Sequence, residues 1–247
     1  MRIVAIVQAR LGSSRLPGKV LQDLAGATLL ARVVERLRAA RSIDEIVIAT
    51  TTQPTDDPIV QEATRLGAKI WRGSETHVLE RYIGAARRFS AGAVVRVTSD
   101  CPLLDPETVD KVVAGLRSAP VDYASNVHVR TYPRGLDTEV FYLETLEKIY
   151  RQATSPAARE HVTAYVMEKP GEFALSHVTN DHDDSDLRWT VDTEEDLALV
   201  RALYAHFRLG TTLRPYREVV EYVRARPELV KLNGHIAQKN WQDSHVA

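Results

Sequence analysis

A single cysteine, Cys101, stands among 247 residues, so no disulfide can form within the chain and a reducing cytoplasm is the expected compartment. Neither charge is in excess. Lys and Arg number 32 against 33 Asp and Glu, a net charge of -1, which gives the molecule no general attraction to nucleic acid or to an anionic membrane. The first apolar run ends after Ile3 to Val7, too short for a signal-peptide core or a membrane span. A soluble cytoplasmic protein with no nucleic-acid and no membrane partner is expected.

Several chemical signatures are missing too. Gly12 and Gly18 are six apart and Val20 follows Lys19, so the chain has neither the G-x-G-x-x-G of dinucleotide folds nor the G-x-x-x-x-G-K-[ST] of P-loops. No spaced Cys and His set of the zinc kind occurs, and the acids of Asp181 to Asp184 read as solvated. Cys101 has no nucleophile signature around it and is expected to pack beneath a site.

What the chain does have, directly after its first apolar run, is ARLGSSRLPGK, Ala9 to Lys19. Gly12 and Gly18 permit tight turns that bring backbone N–H groups toward phosphate oxygens, while Arg10, Arg15 and Lys19 supply cations for a polyphosphate. Arginine forks match phosphate geometry and lysine is a mobile point charge. The plain alternative is a surface loop with solvated basic residues. Position favours the first reading, because Val4, Ile6 and Val7 form a strand and Leu29, Leu30, Val33, Val34 and Leu37 space as a helix face. The loop therefore lies beyond the carboxyl end of a strand, where α/β sheets bind ligands. Ala9, Arg10, Gly12, Ser13, Arg15 and Lys19 are the candidate nucleotide contacts. Lys19 and Arg10, as exposed loop cations, are expected to be removable without loss of the fold.

Strands at Ile46 to Ala49, Lys69 to Trp71 and Val94 to Thr98 alternate with helical faces, predicting an α/β fold: a wound, mostly parallel sheet flanked by helices, one domain over residues 1–226. After Ser118 extended pieces suggest an irregular insert over about 119–141, for acceptor binding or dimerisation. Helices are expected at Leu143 to Gln152 and Ala157 to Glu168, and strands at Phe173 to Val178 and Leu187 to Val191. Thr193 and Asp196 form a capping box for the helix that follows, and Val219, Val220 and Val223 mark a last helix. Residues 227–247 read as a polar tail.

Asp100 follows the strand ending at Thr98, and Asp192 follows the one ending at Val191. Both carboxylates are expected at the ligand edge of the sheet, where Mg²⁺ is held by one or two carboxylates with substrate phosphates and water. The competing role for either is a turn or helix cap, for which Asp105, before Pro106, is better placed. In WRGSETHVLERY, the loop residues Arg72, Gly73 and Ser74 precede a helix and could contact a nucleotide, or Ser74 could cap that helix. Glu80 and Arg81 are expected on the helix surface or behind the contacts. Arg134 is either a carboxylate-binding fork or an exposed turn cation. Asp137 and Glu139 alternate along an extended run and so share a face. His161 reads as structural.

These motifs resemble the cytidylyltransferases that activate acidic sugars as CMP-sugars, the family of CMP-Kdo and CMP-sialic acid synthetases, and within it the branch associated with spore-coat polysaccharide synthesis. The likeness runs from about Arg2 to Phe207 and rests on Ala9 to Lys19, Trp71 to Tyr82, Tyr132 to Phe141 and Arg159 to Thr163. It implies a nucleotide-diphospho-sugar transferase-like fold and transfer of CMP from CTP to an acidic sugar, with pyrophosphate released, in surface polysaccharide or glycan biosynthesis. By the same resemblance Lys19, Arg10 and Asp100 serve catalysis and Asp100 and Asp192 hold Mg²⁺. Asn126, Arg134, Asp137 and Glu139 would contact the acceptor, and the enzyme would be a homodimer. Gln8-Ala9-Arg10 replaces the Pro-Ala-Arg of the better-known synthetases, and Thr98-Ser99-Asp100-Cys101-Pro102 the Gln-Gly-Asp-Glu-Pro of the Kdo enzymes, which leaves the sugar, and less strongly the nucleobase, open. Three rivals stand beside this reading. Another sugar or cofactor nucleotidyltransferase would have a more glycine-rich opening loop. A nucleotide-sugar glycosyltransferase would carry Asp-x-Asp at the strand end of Asp100. A nucleotide-binding module would lack turnover.

Overall fold

The computed structural model describes residues 1–169 and 171–238. Its first half comprises β1 (Ile3–Gln8), β2 (Asp23–Leu24), β3 (Ala27–Thr28), α1 (Leu29–Ala39), β4 (Glu45–Thr51), α2 (Asp57–Arg65), β5 (Lys69–Gly73), α3 (Val78–Arg88), β6 (Ala93–Thr98) and α4 (Pro106–Arg117). The second half follows with β7 (Tyr123–Ser125), β8 (Glu139–Tyr142), α5 (Leu143–Gln152), α6 (Pro156–Glu160), α7 (Ala164–Glu168), β9 (Leu175–His177), α8 (Glu194–Phe207), α9 (Tyr216–Arg224) and α10 (Pro227–Asn233).

The main sheet has the strand order β5-β4-β1-β6-β8-β7-β9. β1 pairs parallel with β4 and β6, β4 pairs parallel with β5, and β8 enters antiparallel between β6 and β7. The continuous apolar run of β1 follows from its central place. Ile3, Ala5 and Val7 pack into the core under α1, α4 and α8, whereas Val4 and Ile6 face the opposite core under α3 and α5. α1 starts where Thr28 accepts from Ala31 N–H at 3.0 Å, and α8 starts on the expected capping box of Thr193 and Asp196. Among the described residues no helix is long and apolar enough to cross a membrane.

The wound, mostly parallel sheet matches the sequence reading; the differences lie in the second half. The region 119–141 is not a free excursion, because β7 and β8 within it are buried sheet strands. Leu187 to Val191 is not a strand. It makes one bridge, Arg134 to Arg188, and is pinned by Trp189 N–H to Arg134 O and by Val191 N–H to Asp100 O at 2.8 Å. The expected helix from Ala157 to Glu168 is two short helices, parted where Val162 takes φ +54°. Part of the expected polar tail is α10, whose Asn233 is buried; residues 239–247 lie outside the described part.

Gly135 is what permits the bridge at Arg134. Its φ is +106°, and a Cβ there would lie 2.6 Å from the Trp189 carbonyl carbon and 2.7 Å from Thr190 N. Both contacts are backbone, so no side chain can yield. Gly135→Ala is expected to lower unfolding stability by about 3 kcal/mol in urea denaturation. Gly12→Ala, with no atom within 4 Å of the added carbon, should leave stability near that of the parent.

Candidate active site

The loop after β1 is held as a cradle by its own backbone. Ala9 N–H donates to Ala49 O at 3.1 Å, Leu11 N–H to Asp56 Oδ1 at 2.8 Å, and Gly18 N–H to Leu11 O at 3.1 Å. Asp56 is buried and also accepts from Thr51 Oγ1 at 2.5 Å, so this carboxylate is the strut of the loop. Gly18, in the left-handed region at φ +68°, reverses the chain into a single turn of 3-10 helix at Lys19–Leu21. That turn sends Lys19 inward.

Lys19 Nζ donates to Asp100 Oδ2, to Asp192 Oδ1 and to Val191 O, each at 2.8 Å, which uses all three ammonium donors. Asp192 Oδ2 accepts from Arg188 at 2.7 Å and pairs with Arg15 at 2.8 Å, while Asp100 Oδ1 accepts from Thr98 Oγ1 at 2.5 Å. Arg188 is held in turn by the fully buried Asp196, at 2.9 and 3.0 Å, which also accepts from Asn233 of α10. Burial by itself would lower the Lys19 pKa. Asp100 and Asp192 outweigh it and raise the value above the ordinary 10.5, so the ammonium stays charged. Burial acts to raise the Asp192 pKa, and Lys19, Arg188 and Arg15 bring it below 3.8. The expectation of an exposed Lys19 is therefore corrected: it is 8% exposed and ion-paired twice, so its removal will not be neutral for the fold. Arg10 is exposed as expected.

Two cavities meet here. One, of about 340 Å³, is lined by Ala9, Arg10, Gly12, Ser13, Arg15, Lys19 and Asp192; the other, of about 660 Å³, by Arg96, Arg130, Arg134, Asp137 and Glu139. Thr98 and His161 border both. His161 reaches this junction because the chain turns at Val162 instead of continuing as helix. Asp100 is tied to the smaller cavity through Lys19.

Among the described residues the cations of the larger cavity differ in their partners. Arg130 grips Asp137 with two bonds, at 2.6 and 2.9 Å. Arg96 pairs with Glu139, which also accepts from the Tyr123 hydroxyl and from Thr163 Oγ1 at 2.6 Å. Burial pushes the Glu139 pKa up, but Arg96, Thr163 and Tyr123 prevail and hold it below 4.5. Arg134 makes no side-chain hydrogen bond or ion pair among the described residues and lines the cavity with its charge free for an anion. Burial, and then Arg130, lowers its pKa.

Not every candidate joins the site. Asn126 is 1% exposed and clamps its own loop, accepting from Thr138 N–H and donating to Leu136 O, both at 2.8 Å. A reach toward an acceptor is excluded by those bonds. The two oxygens of Glu139 are likewise spent inside the protein, so it shapes the cavity wall in place of gripping hydroxyls. Arg72 braces the turn after β4, donating to Thr51 O at 2.8 Å and Gln53 O at 2.9 Å and pairing with Asp57. Ser74 Oγ accepts from His77 N–H at 3.1 Å. Neither these residues nor Gly73 line the two cavities. Conversely Arg81, expected on the helix surface or behind the contacts, is 2% exposed and lines the smaller cavity itself. Its signal was its spacing: with Val78 and Ala85 it sits at i, i+3 and i+7, on a face that is otherwise buried.

A cation-rich loop at the carboxyl edge of a wound α/β sheet, facing paired carboxylates, defines a nucleotidyltransferase. The pattern of the cytidylyltransferase family matches residues 4–227. The chain is 34% identical over 209 residues to the spore coat polysaccharide biosynthesis protein SpsF of Bacillus subtilis, covering 82% of this chain and 86% of that protein. It is 32% identical over 246 residues to a 3-deoxy-manno-octulosonate cytidylyltransferase of Anaeromyxobacter dehalogenans, covering 83% and 99%. The solved structure of a cytidylyltransferase from Leptospira borgpetersenii superposes with a TM-score of 0.88 at 30% identity, over 97% of this chain and 100% of that one. The chain belongs to the cytidylyltransferase family.

The buried pair of Arg96 and Glu139 offers a stability test. Glu139→Ala strands a guanidinium whose side chain is 17% exposed, and should cost about 3 to 5 kcal/mol in urea unfolding at neutral pH. Because the folded-state pKa of Glu139 is depressed, its contribution is present above pH 4.5 and is lost as pH falls through the folded value. Unfolding midpoints measured from neutral pH downward should accordingly fall less steeply in Glu139→Gln than in the parent.

Proposed function

We propose that the protein transfers CMP from CTP to a hydroxyl of an acidic sugar, nonulosonic or Kdo-like, and releases pyrophosphate. The observation that carries this reading is the pair of adjoining cavities bordered by Thr98 and His161, one holding the loop cations and the other the unpaired Arg134. The name of one relative, a spore coat polysaccharide biosynthesis protein, supports a role in surface polysaccharide or glycan synthesis. A cytoplasmic location goes with CTP as substrate. Homodimerisation belongs to the same proposal, and with β7 and β8 buried, the exposed residues of 119–141 that could make the contact are Val129 and, before β7, Ala119 and Pro120.

The acceptor hydroxyl oxygen attacks the α-phosphorus in line, losing its proton to solvent and forming one P–O bond as the bond to the leaving pyrophosphate breaks. Arg10, Arg15 and Lys19 face the oxygens on which charge grows, with the backbone of Ala9, Gly12 and Ser13 shaping the cradle. Arg134 pairs the sugar carboxylate through its fork. Arg72, Gly73 and Ser74 act by bracing this end of the sheet. Asp100 and Asp192 are the carboxylates that would hold Mg²⁺: their side chains are 22% and 14% exposed, Lys19 now bridges them, and an ion would take its place between them as the ammonium turned to the phosphates. That sparse set is what magnesium uses when it shares its shell with phosphates. When bound, the ion would supply further charge neutralisation at the triphosphate.

Pyrophosphate release should be followed with each nucleoside triphosphate, Mg²⁺ and a panel of acidic sugars. Turnover is expected with CTP and a 2-keto-3-deoxy acid, and to stop when magnesium is chelated. Asp100→Asn and Asp192→Asn should each need more Mg²⁺ and turn over roughly a hundredfold more slowly. Faster turnover with UTP or GTP, or an unchanged magnesium requirement in Asp192→Asn, would contradict the reading.

A further inference from the structure

We propose that Gln8 and Arg81 read the hydrogen-bonding edge of the nucleobase and so set a preference for cytosine, an assignment that rests on the cytidylyl-transfer reading above. Both residues line the smaller cavity, and both carry buried polar atoms with no hydrogen-bond partner among the described residues: Gln8 Oε1, and Nε and Nη1 of Arg81. Buried polar atoms are nearly always satisfied, and an arginine that is 2% exposed with two idle donors is costly to retain. A ligand that enters the cavity would satisfy them.

The position of Arg81 is built into the fold. A Cβ on Gly73 would lie 2.9 Å from Arg81 Cγ, so the glycine at the end of β5 leaves room for the arginine stem as it leaves α3. Gly73 thus serves the nucleotide by what it omits. Gln8 is the last residue of β1, ahead of the cradle, so the idle atoms lie off the loop whose Arg10, Arg15 and Lys19 suit the phosphates.

The pairing edge of cytosine offers one donor, the exocyclic amine, and two acceptors, ring N3 and O2, so Gln8 Oε1 can accept from the amine while one Arg81 N–H donates to N3; Nε–H and Nη1–H leave the guanidinium on opposite sides, so the second donor meets another group of the bound ligand. Uracil presents an N–H at N3, which would oppose an arginine N–H, and guanine presents two donors and one acceptor. A glutamine amide can turn to meet either the cytosine amine or the uracil carbonyl, so Arg81, which only donates, is the discriminator. Leaving a buried donor unpaired is the penalty a wrong base would incur.

Calorimetric binding of CTP, UTP and inorganic tripolyphosphate to the parent, Arg81→Met and Gln8→Met decides the matter. The parent should bind CTP about tenfold or more tighter than UTP. Each variant should lose about tenfold or more in CTP affinity with tripolyphosphate changed by less than about threefold; UTP should be as little changed in Arg81→Met, whereas in Gln8→Met it falls with CTP because the amide serves either base. Arg81→Met should also melt no lower than the parent, since it removes an unpaired buried cation; if it fails to fold, Gln8→Met carries the test alone. Equal losses for CTP, UTP and tripolyphosphate in Arg81→Met would make it a phosphate ligand and overturn the proposal, as would unchanged CTP affinity in both variants. A parent protein that prefers UTP or GTP would instead overturn the cytidylyl-transfer reading itself.

Discussion

The ammonium of Lys19, set between Asp100 and Asp192, is the interaction on which both fold and site depend. Its three bonds join parts of the chain separated by 81, 172 and 173 residues: the loop after β1, the end of β6 and the segment leading into α8. Two carboxylates drawn to one point repel, and the ammonium set between them offsets that repulsion. A buried ion pair is a poor stabiliser when its remaining donors are idle, yet here every ammonium proton has an acceptor. The same atoms that close the structure are therefore held at full charge where a polyphosphate would lie.

Behind that contact the charges continue inward. Asp192 leans on Arg188, Arg188 on Asp196, and Asp196 collects Asn233 and the backbone N–H groups that open α8. The depth of this chain fixes the site from its rear, and it ties the C-terminal helix to the reaction edge. On the other side Arg96 pairs with Glu139 and Arg130 with Asp137, whereas Arg134 makes no such pair among the described residues. Recognition is thus expressed by the residues left over once the internal pairs are made.

Much of this was legible in the order of residues because it depends on neighbours along the chain. The apolar run of β1, the glycines flanking the loop, the acids at strand ends and the capping box at Thr193 are all local patterns. The burial of Lys19 was not legible, since its partners are remote. Alternation placed Asp137 and Glu139 on one face, but only the packing of Arg96, Tyr123 and Thr163 shows that Glu139 is consumed internally. Asn126 and Leu187 to Val191 also depend on remote partners: the Asn126 amide is taken by Leu136 O and Thr138 N–H, and a backbone bridge at Arg134, made possible by Gly135, stands in place of the strand. Arg81 sat at a buried helical position, and its charge concealed the fact.

A structure of the protein bound to CTP and magnesium tests the central claim most directly. The account predicts the triphosphate against Arg10, Arg15 and Lys19, with the Lys19 ammonium released from at least one of Asp100 and Asp192 and turned to a phosphate oxygen. A triphosphate bound elsewhere, with the contacts of Lys19 to both carboxylates intact, would contradict it.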